Sequence, residues 1–171
     1  MFLEIEKKKT PFLFGRTELW LRYDNTALLE IEKSGFDPFD INAVNENGAA
    51  ARTFLLAGLL DCAEVLGISD QKRGEIVSAL MSGGEDTATV FLVIIAALLA
   101  ALPSKNGSAF SEQGRSRGSL ENLFSIYCDI MKKPDEAFWS STLREVSERW
   151  ERYAVLKGYK KPPIFIQRYD D

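Results

Sequence analysis

The sequence contains no histidine in 171 residues. That absence removes the usual proton shuttle at neutral pH, the Ser/His and Cys/His nucleophile pairs, and the commonest metal ligand. Cysteine is almost as scarce. Cys62 and Cys128 lie 66 positions apart and neither belongs to a CxxC cluster. A structural zinc site takes about four ligands, so two thiols without imidazole do not make one. Both sit in apolar helical stretches and read as small core hydrophobes. Long hydrophobic runs are missing too: the longest, Val90 to Pro103, has 14 residues. As a helix it would span about 21 Å against about 30 Å of bilayer hydrocarbon, so it reads as a buried helix. Neither sign of charge dominates, with 21 basic and 25 acidic side chains and a net charge of −4, which argues for neither nucleic acid nor an anionic membrane as partner. The first nine residues alternate and then turn basic, the reverse of a signal peptide's order. The chain reads as cytoplasmic, with no catalytic set, cofactor or metal expected.

What is present is material for a core, 46% hydrophobic residues of which aromatics supply 11% of the chain. One domain with a small appendage fits this length. Residues 2 to 6 and Glu18 to Tyr23 alternate polar with apolar around a Gly15-Arg16 turn, which predicts two or three short antiparallel strands. From Asp24 the period becomes helical, with Ala27, Leu28 and Ile31 on one face and Gly35 as the stop. A loop around Asp37-Pro38 follows. Asn47 then caps a predicted long helix whose Leu55, Leu59, Cys62 and Leu66 form a stripe, with Phe54 and Gly58 beside it and Gly67 at its end. Ser69 caps another helix, carrying Ile76, Val77 and Leu80 and ending at Gly83-Gly84. The stretch from Thr87 to Leu102 is apolar nearly all round and is expected at the centre of a helical bundle.

Residues 104–118 hold four Ser and three Gly in fifteen positions and read as a linker. They divide the chain by charge. Residues 1–103 carry 9 basic and 15 acidic side chains, net −6, and 104–171 carry 12 and 10, net +2. The expected organisation is a β-hairpin plus helical core over 1–103, the linker, and a helical extension over 119–171 with a proline-broken basic tail. The fold class is mainly α, an α+β arrangement of a short hairpin followed by a helical bundle. In the extension, Ser119 caps a helix with Leu120, Leu123, Phe124, Tyr127 and Met131 inward, stopping before Pro134. Thr142-Leu143-Arg144-Glu145 forms a capping box, in which hydroxyl and carboxylate satisfy each other's backbone N–H groups. The helix it opens carries Leu143, Val146, Trp150 and Tyr153 on one side, and Arg144/Glu148, Glu145/Arg149 and Glu148/Arg152 at i,i+4 on the other, up to Gly158.

Three patterns invite a chemical reading. Gly83-Gly84-Glu85-Asp86 resembles a phosphate loop, but its acids would repel phosphate and no Lys follows. Glu30/Glu32 at i,i+2 face different ways on a helix, and with Asp37/Asp40 they read as solvated acids, not a glycosidase pair. The cluster Lys157, Lys160, Lys161 and Arg168, interleaved with Tyr159, has the ingredients of a nucleic-acid track, offset by Asp170, Asp171 and the glutamates of the preceding helix. Protein recognition fits better. Phe138-Trp139 precedes the capping box, where the two rings read first as packing that staples the incoming chain and otherwise as a recognition edge, Trp150 and Tyr153 share a helix face, and Pro162-Pro163-Ile164-Phe165-Ile166 is an extended apolar run. The candidate protein-binding residues are therefore Phe138, Trp139, Trp150, Tyr153, Tyr159, Ile164 and Phe165.

Two segments carry a family likeness. Gly15 to Glu32, with Leu21-Arg22-Tyr23 closing a hairpin and Ala27-Leu28-Leu29-Glu30-Ile31-Glu32 opening a helix, resembles the start of tail assembly chaperones of long-tailed, siphovirus-type bacteriophages. Phe138-Trp139-Ser140-Ser141-Thr142-Leu143-Arg144-Glu145 is similar to a segment in the C-terminal extension of their longer form. The resemblance implies a non-enzymatic protein of the host cytoplasm that binds the tape-measure protein, a very long helical chain, and helps recruit tail-tube protein subunits around it. A linker at 104–118 would raise the second partner's effective concentration to about mM. Homo-oligomerisation is compatible with the apolar 90–102 stretch; a membrane partner is not expected. A tail adaptor that stays in the particle, a carboxylate or Ser/Lys hydrolase, and a nucleic-acid-binding regulator are the other readings.

Overall fold

A computed structural model describes residues 9–83, 87–102 and 119–158. The strand expected at 2–6, the turn residues 84–86, the linker at 104–118, and the tail with Tyr159, Ile164 and Phe165 lie outside the described residues. The protein is mainly helical, with one antiparallel hairpin at its start, as the periodicity predicts. By its contacts the chain forms two compact units: Met1–Tyr23 with Ala27–Ala100, and Asp24–Thr26 with Ala101–Asp171.

In the first unit, β1 (Thr10–Phe14) pairs with β2 (Thr17–Leu21) in a register that sets Phe14 opposite Thr17. The two-residue turn begins with Gly15 at φ +62°, a left-handed value that glycine adopts without strain and that suits strand twist. Leu19 and Leu21 point inward, while Trp20, on the other face, donates its indole N–H to Asp61 at 2.8 Å. Helix α1 (Asn25–Lys33) buries Ala27, Leu28 and Ile31, the face expected from the sequence, and Gly35 follows at φ +88°. The presumed loop after it contains a second helix, α2 (Ile41–Glu46). Asp40 starts it by accepting the Asn42 and Ala43 N–H groups. Asn47 ends α2 and in turn caps α3 (Gly48–Gly58) through Ala49 N–H at 2.9 Å.

The single long helix expected from Asn47 to Gly67 is two helices, α3 and α4 (Leu60–Leu66), interrupted at Leu59. The cause is a strand end pressed against Gly58. Its carbonyl accepts the Arg22 N–H at 2.9 Å from outside the helix. Tyr23, fully buried, lies so close that a Cβ on Gly58 would meet the ring carbon Cζ at 2.9 Å, and the Tyr23 hydroxyl is held by the Phe54 carbonyl at 3.0 Å. Burial pushes that hydroxyl far above the ordinary tyrosine range. The break alters the predicted stripe: Leu55, Leu59 and Cys62 are buried, whereas Leu66 is exposed. Helix α5 (Asp70–Ser82), capped by Ser69, buries Ile76 and Val77 and packs on α3, where Arg52 Nη1 donates to Ser78 Oγ at 3.0 Å.

Helix α6 (Thr87–Ala101) departs from expectation. It buries Val90, Ile94, Ala97, Leu98 and Ala101, but Leu92 is 66% and Leu99 52% exposed. It lines the core on one side only, since being apolar all round sets no limit on which side the chain itself covers.

These contacts set two opposed expectations. An alanine at position 58 regains about 1 kcal/mol of helix propensity, but it must displace a pinned ring, and such overpacking costs about 1–3 kcal/mol. Gly58→Ala should therefore lower stability in urea unfolding by about 1 kcal/mol. Gly74→Ala, in α5 with nothing within 4 Å of the added methyl, should raise it by about 0.5–1 kcal/mol.

Candidate functional site

The aromatic residues singled out in the sequence belong to the second unit. Helix α7 (Ser119–Ser125) runs into a π turn, Ile126–Ile130, with Leu120, Leu123, Tyr127 and Met131 buried as predicted and Phe124 half-buried. The turn closes at Lys132, whose φ of +54° is left-handed; a lysine there bears about 1 kcal/mol that glycine would not. After Pro134, a helix not read from the sequence, α8 (Asp135–Trp139), carries Phe138 and Trp139 at its end. Helix α9 (Leu143–Leu156) follows.

The rings form one cluster. Phe124 stacks on Trp139 at 5.5 Å and meets Phe138 edge-on at 5.3 Å, and Tyr127 lies 5.7 Å from Phe138. Edge-to-face and offset arrangements at these separations add about 0.5–1.5 kcal/mol per pair beyond burial. A helix as short as α8 leaves most of its carbonyls without internal partners. Here each of the last four is supplied. Ser140 N–H donates to Glu136 at 3.1 Å, Ser141 Oγ to Ala137 at 2.5 Å, Asn25 Nδ2 to Phe138 at 2.9 Å and Thr26 Oγ1 to Trp139 at 3.1 Å. The Asn25 backbone N–H also donates to the Ser141 carbonyl at 2.9 Å. Among the described residues the buried Asn25 Oδ1 has no hydrogen-bond partner, so Asn25 acts in this corner through its donors.

The capping box forms as predicted, with Thr142 N–H to Glu145 Oε2 at 2.8 Å and Glu145 N–H to Thr142 Oγ1 at 3.2 Å. Helix α9 differs on its expected solvent face. Glu145 is buried in the box, and Arg149 Nη1 turns inward to the Tyr127 hydroxyl and to Ser141 Oγ, the latter at 3.0 Å. Arg144 Nε reaches the Leu102 carbonyl at 2.7 Å. These bonds tie α9 to the cluster where simple helical ion pairs were expected.

The candidate binding residues separate accordingly. Phe138 at 0% and Trp150 at 7% exposure are core side chains. Trp139 and Tyr153 are half-buried and keep part of their surface open; Tyr153 stacks on Trp150 at 5.8 Å and donates its hydroxyl to the Ile130 carbonyl at 3.1 Å. Tyr159, Ile164 and Phe165 lie outside the described residues. Sequence reasoning did not find Ile130 and Leu156, which are exposed beside Tyr153, or the open face of α6. Their only sequence signal was a large aliphatic residue at the edge of an amphipathic pattern.

Among the described residues no group of three His, Cys, Asp or Glu could hold a metal ion, and no helix is long and apolar enough to cross a membrane. Both cysteines are free. Burial pushes the Cys62 thiol up, and desolvation followed by a hydrogen bond to Asp135 pushes the Cys128 thiol up to about 11. No protein-family model, curated protein or solved structure matches the chain.

Two measurements follow from this geometry. Asn25→Ala removes one of two donors to the buried Phe138 carbonyl, leaving the Ser141 N–H at 3.0 Å, and should cost about 0.5–1.5 kcal/mol in chemical unfolding, with Asn25→Asp costing more because a second acceptor then faces that carbonyl. Cys128, although partly exposed, should react with a disulfide reagent at roughly pH 8 about 100-fold more slowly than an ordinary thiol, because a raised pKa depletes the thiolate. Its rate should climb as pH approaches about 11.

Proposed function

We propose that this chain is a protein-binding assembly factor of the tail-assembly-chaperone kind. The first unit holds a helical segment of the tape-measure protein, the second meets tail-tube subunits, and no reaction is catalysed. The observation that carries the reading is α6, fifteen residues without a charged side chain, on which Ala88, Leu92, Ala96 and Leu99 recur at helical spacing along an exposed stripe. Soluble proteins seldom leave such a contiguous apolar face uncovered unless another molecule meets it. An amphipathic helix laid along it would bury leucines worth about 1.5–3 kcal/mol each. The partner this suits is a long chain of amphipathic helices that needs its own apolar face masked until assembly. The likeness of Gly15 to Glu32 and of Phe138 to Glu145 to the chaperone family supports the same reading, as does the opposite net charge of the two halves of the sequence, which fits two different partners.

Co-expression with a tape-measure fragment tests it. The wild-type chain should keep the fragment soluble and co-purify with it. Leu92→Glu combined with Ala96→Glu keeps good helix formers at two exposed sites and should reduce capture by about 10-fold or more, since each change sets a charge against apolar surface. Equal capture by the variant would remove α6 from the binding face.

A further inference from the structure

The second unit carries a surface whose chemistry is more specific than a general partner site. The Tyr153–Ile130 hydrogen bond at 3.1 Å brings the end of the π turn against the last turns of α9. Two aliphatic side chains stand open there, Ile130 at 43% and Leu156, one turn beyond Tyr153, at 84% exposure. Four exposed cations adjoin them along the chain: Lys132 and Lys133 just after the π turn, and Arg152 and Lys157 on α9. Among the described residues none of the four is in an ion pair. Lys157 Nζ lies 5.8 Å from the Tyr153 ring centroid. The acids nearby in the chain whose side chains are described are Asp129, which accepts the Ser125 hydroxyl at 2.6 Å, Asp135, hydrogen-bonded to Cys128, the exposed Glu136, and the half-buried Glu148. The result is an aliphatic strip flanked by positive charge on two separate elements.

We propose that this face binds an acidic amphipathic helix, its apolar side chains on Ile130, Tyr153 and Leu156 and its carboxylates toward Lys132, Lys133, Arg152 and Lys157. The inference deepens the reading of the second unit as a partner-binding module and rests on it. Charge complementarity selects the occupant, because flanking cations steer and orient an acidic segment while the strip supplies contact area. Single-stranded nucleic acid fits less well. It needs ring faces on which bases can stack, and Tyr153 is already stacked on Trp150 at 5.8 Å and covered by Lys157. Two open aliphatic side chains are also little apolar area for holding a bilayer surface.

The test uses the full chain and a fluorescently labelled, roughly 20-residue helical peptide with Leu at i, i+3, i+4 and i+7 and Glu on the flanking positions, beside a control in which every Glu is Lys. By anisotropy at low salt the acidic peptide should bind about 10-fold or more tighter than the basic one and lose most of that advantage at about 0.3 M salt. Leu156→Asp and the pair Lys132→Glu/Lys157→Glu lie on exposed positions, and each should weaken binding about 10-fold with unchanged circular dichroism. Lys132→Gly should raise Tm by relieving the left-handed lysine while weakening binding about two-fold, separating the charge from the fold. Equal affinity for the two peptides, indifference to Leu156→Asp, or tighter binding of a single-stranded oligonucleotide or of anionic phospholipid vesicles would each overturn the inference. Loss of the peptide site with tape-measure capture intact would overturn this inference alone; loss of capture with peptide binding intact would overturn the α6 reading and leave this one.

Discussion

The second unit depends on a side-chain amide placed against the end of a helix. A five-residue helix cannot satisfy its own terminal carbonyls, and buried carbonyls without donors each cost on the order of 1–3 kcal/mol. Asn25 and Thr26 add donors from outside the helix, at the Phe138 carbonyl beside the Ser141 N–H and at the Trp139 carbonyl. With that corner fixed, Phe138 is held at the centre of the ring cluster, Ser141 is oriented to receive Arg149, and the Thr142–Glu145 box opens α9 in the right direction. The exposed strip beside Tyr153 inherits its geometry from this chain of contacts.

The first unit is organised around a different economy of space. Gly58 carries no side chain because Tyr23 occupies that volume, and its carbonyl serves a strand end in place of its own helix. The helical path therefore turns at Leu59, leaving Val65 and Leu66 outside while Cys62 stays in. Among the described residues the large exposed aliphatic side chains of this unit lie on β1 at Leu13, on α4 and on α6, and those of the second unit are Ile130 and Leu156. The two sets differ in setting. Helix α6 is uncharged along its length, whereas Ile130 and Leu156 are framed by lysine and arginine, which is the basis for assigning them partners of different chemistry.

Local signals in the sequence were read well because their physics is local. Gly15 at a two-residue turn, Asn47 and Ser69 as caps, the Thr142–Glu145 box and the inward face of α1 each involve residues within a turn or two of one another. Helix α2 was missed although Asp40 is a good cap, because the nearby Asp37-Pro38 drew the whole stretch into a loop. The break at Leu59 and the Asn25 bonds were not legible, since each depends on a group brought from 31 or more positions away. For the candidate residues, the packing reading of Phe138 was legible in its place before the capping box, whereas the burial of Trp150 and the exposure of Ile130 and Leu156 were not, because they depend on how α9 meets the preceding turn.

The Asn25–Phe138 bond also has a schedule. The two residues are 113 positions apart, and at about 5–20 residues per second of synthesis the acceptor follows the donor by on the order of ten seconds. Throughout that interval the Asn25 amide can bond only to water or to transient neighbours, and residues 27–100 of the first unit are all synthesised inside it. The second unit is therefore the later of the two to complete, and the apolar side of α6 is made before the corner that builds the cationic strip exists.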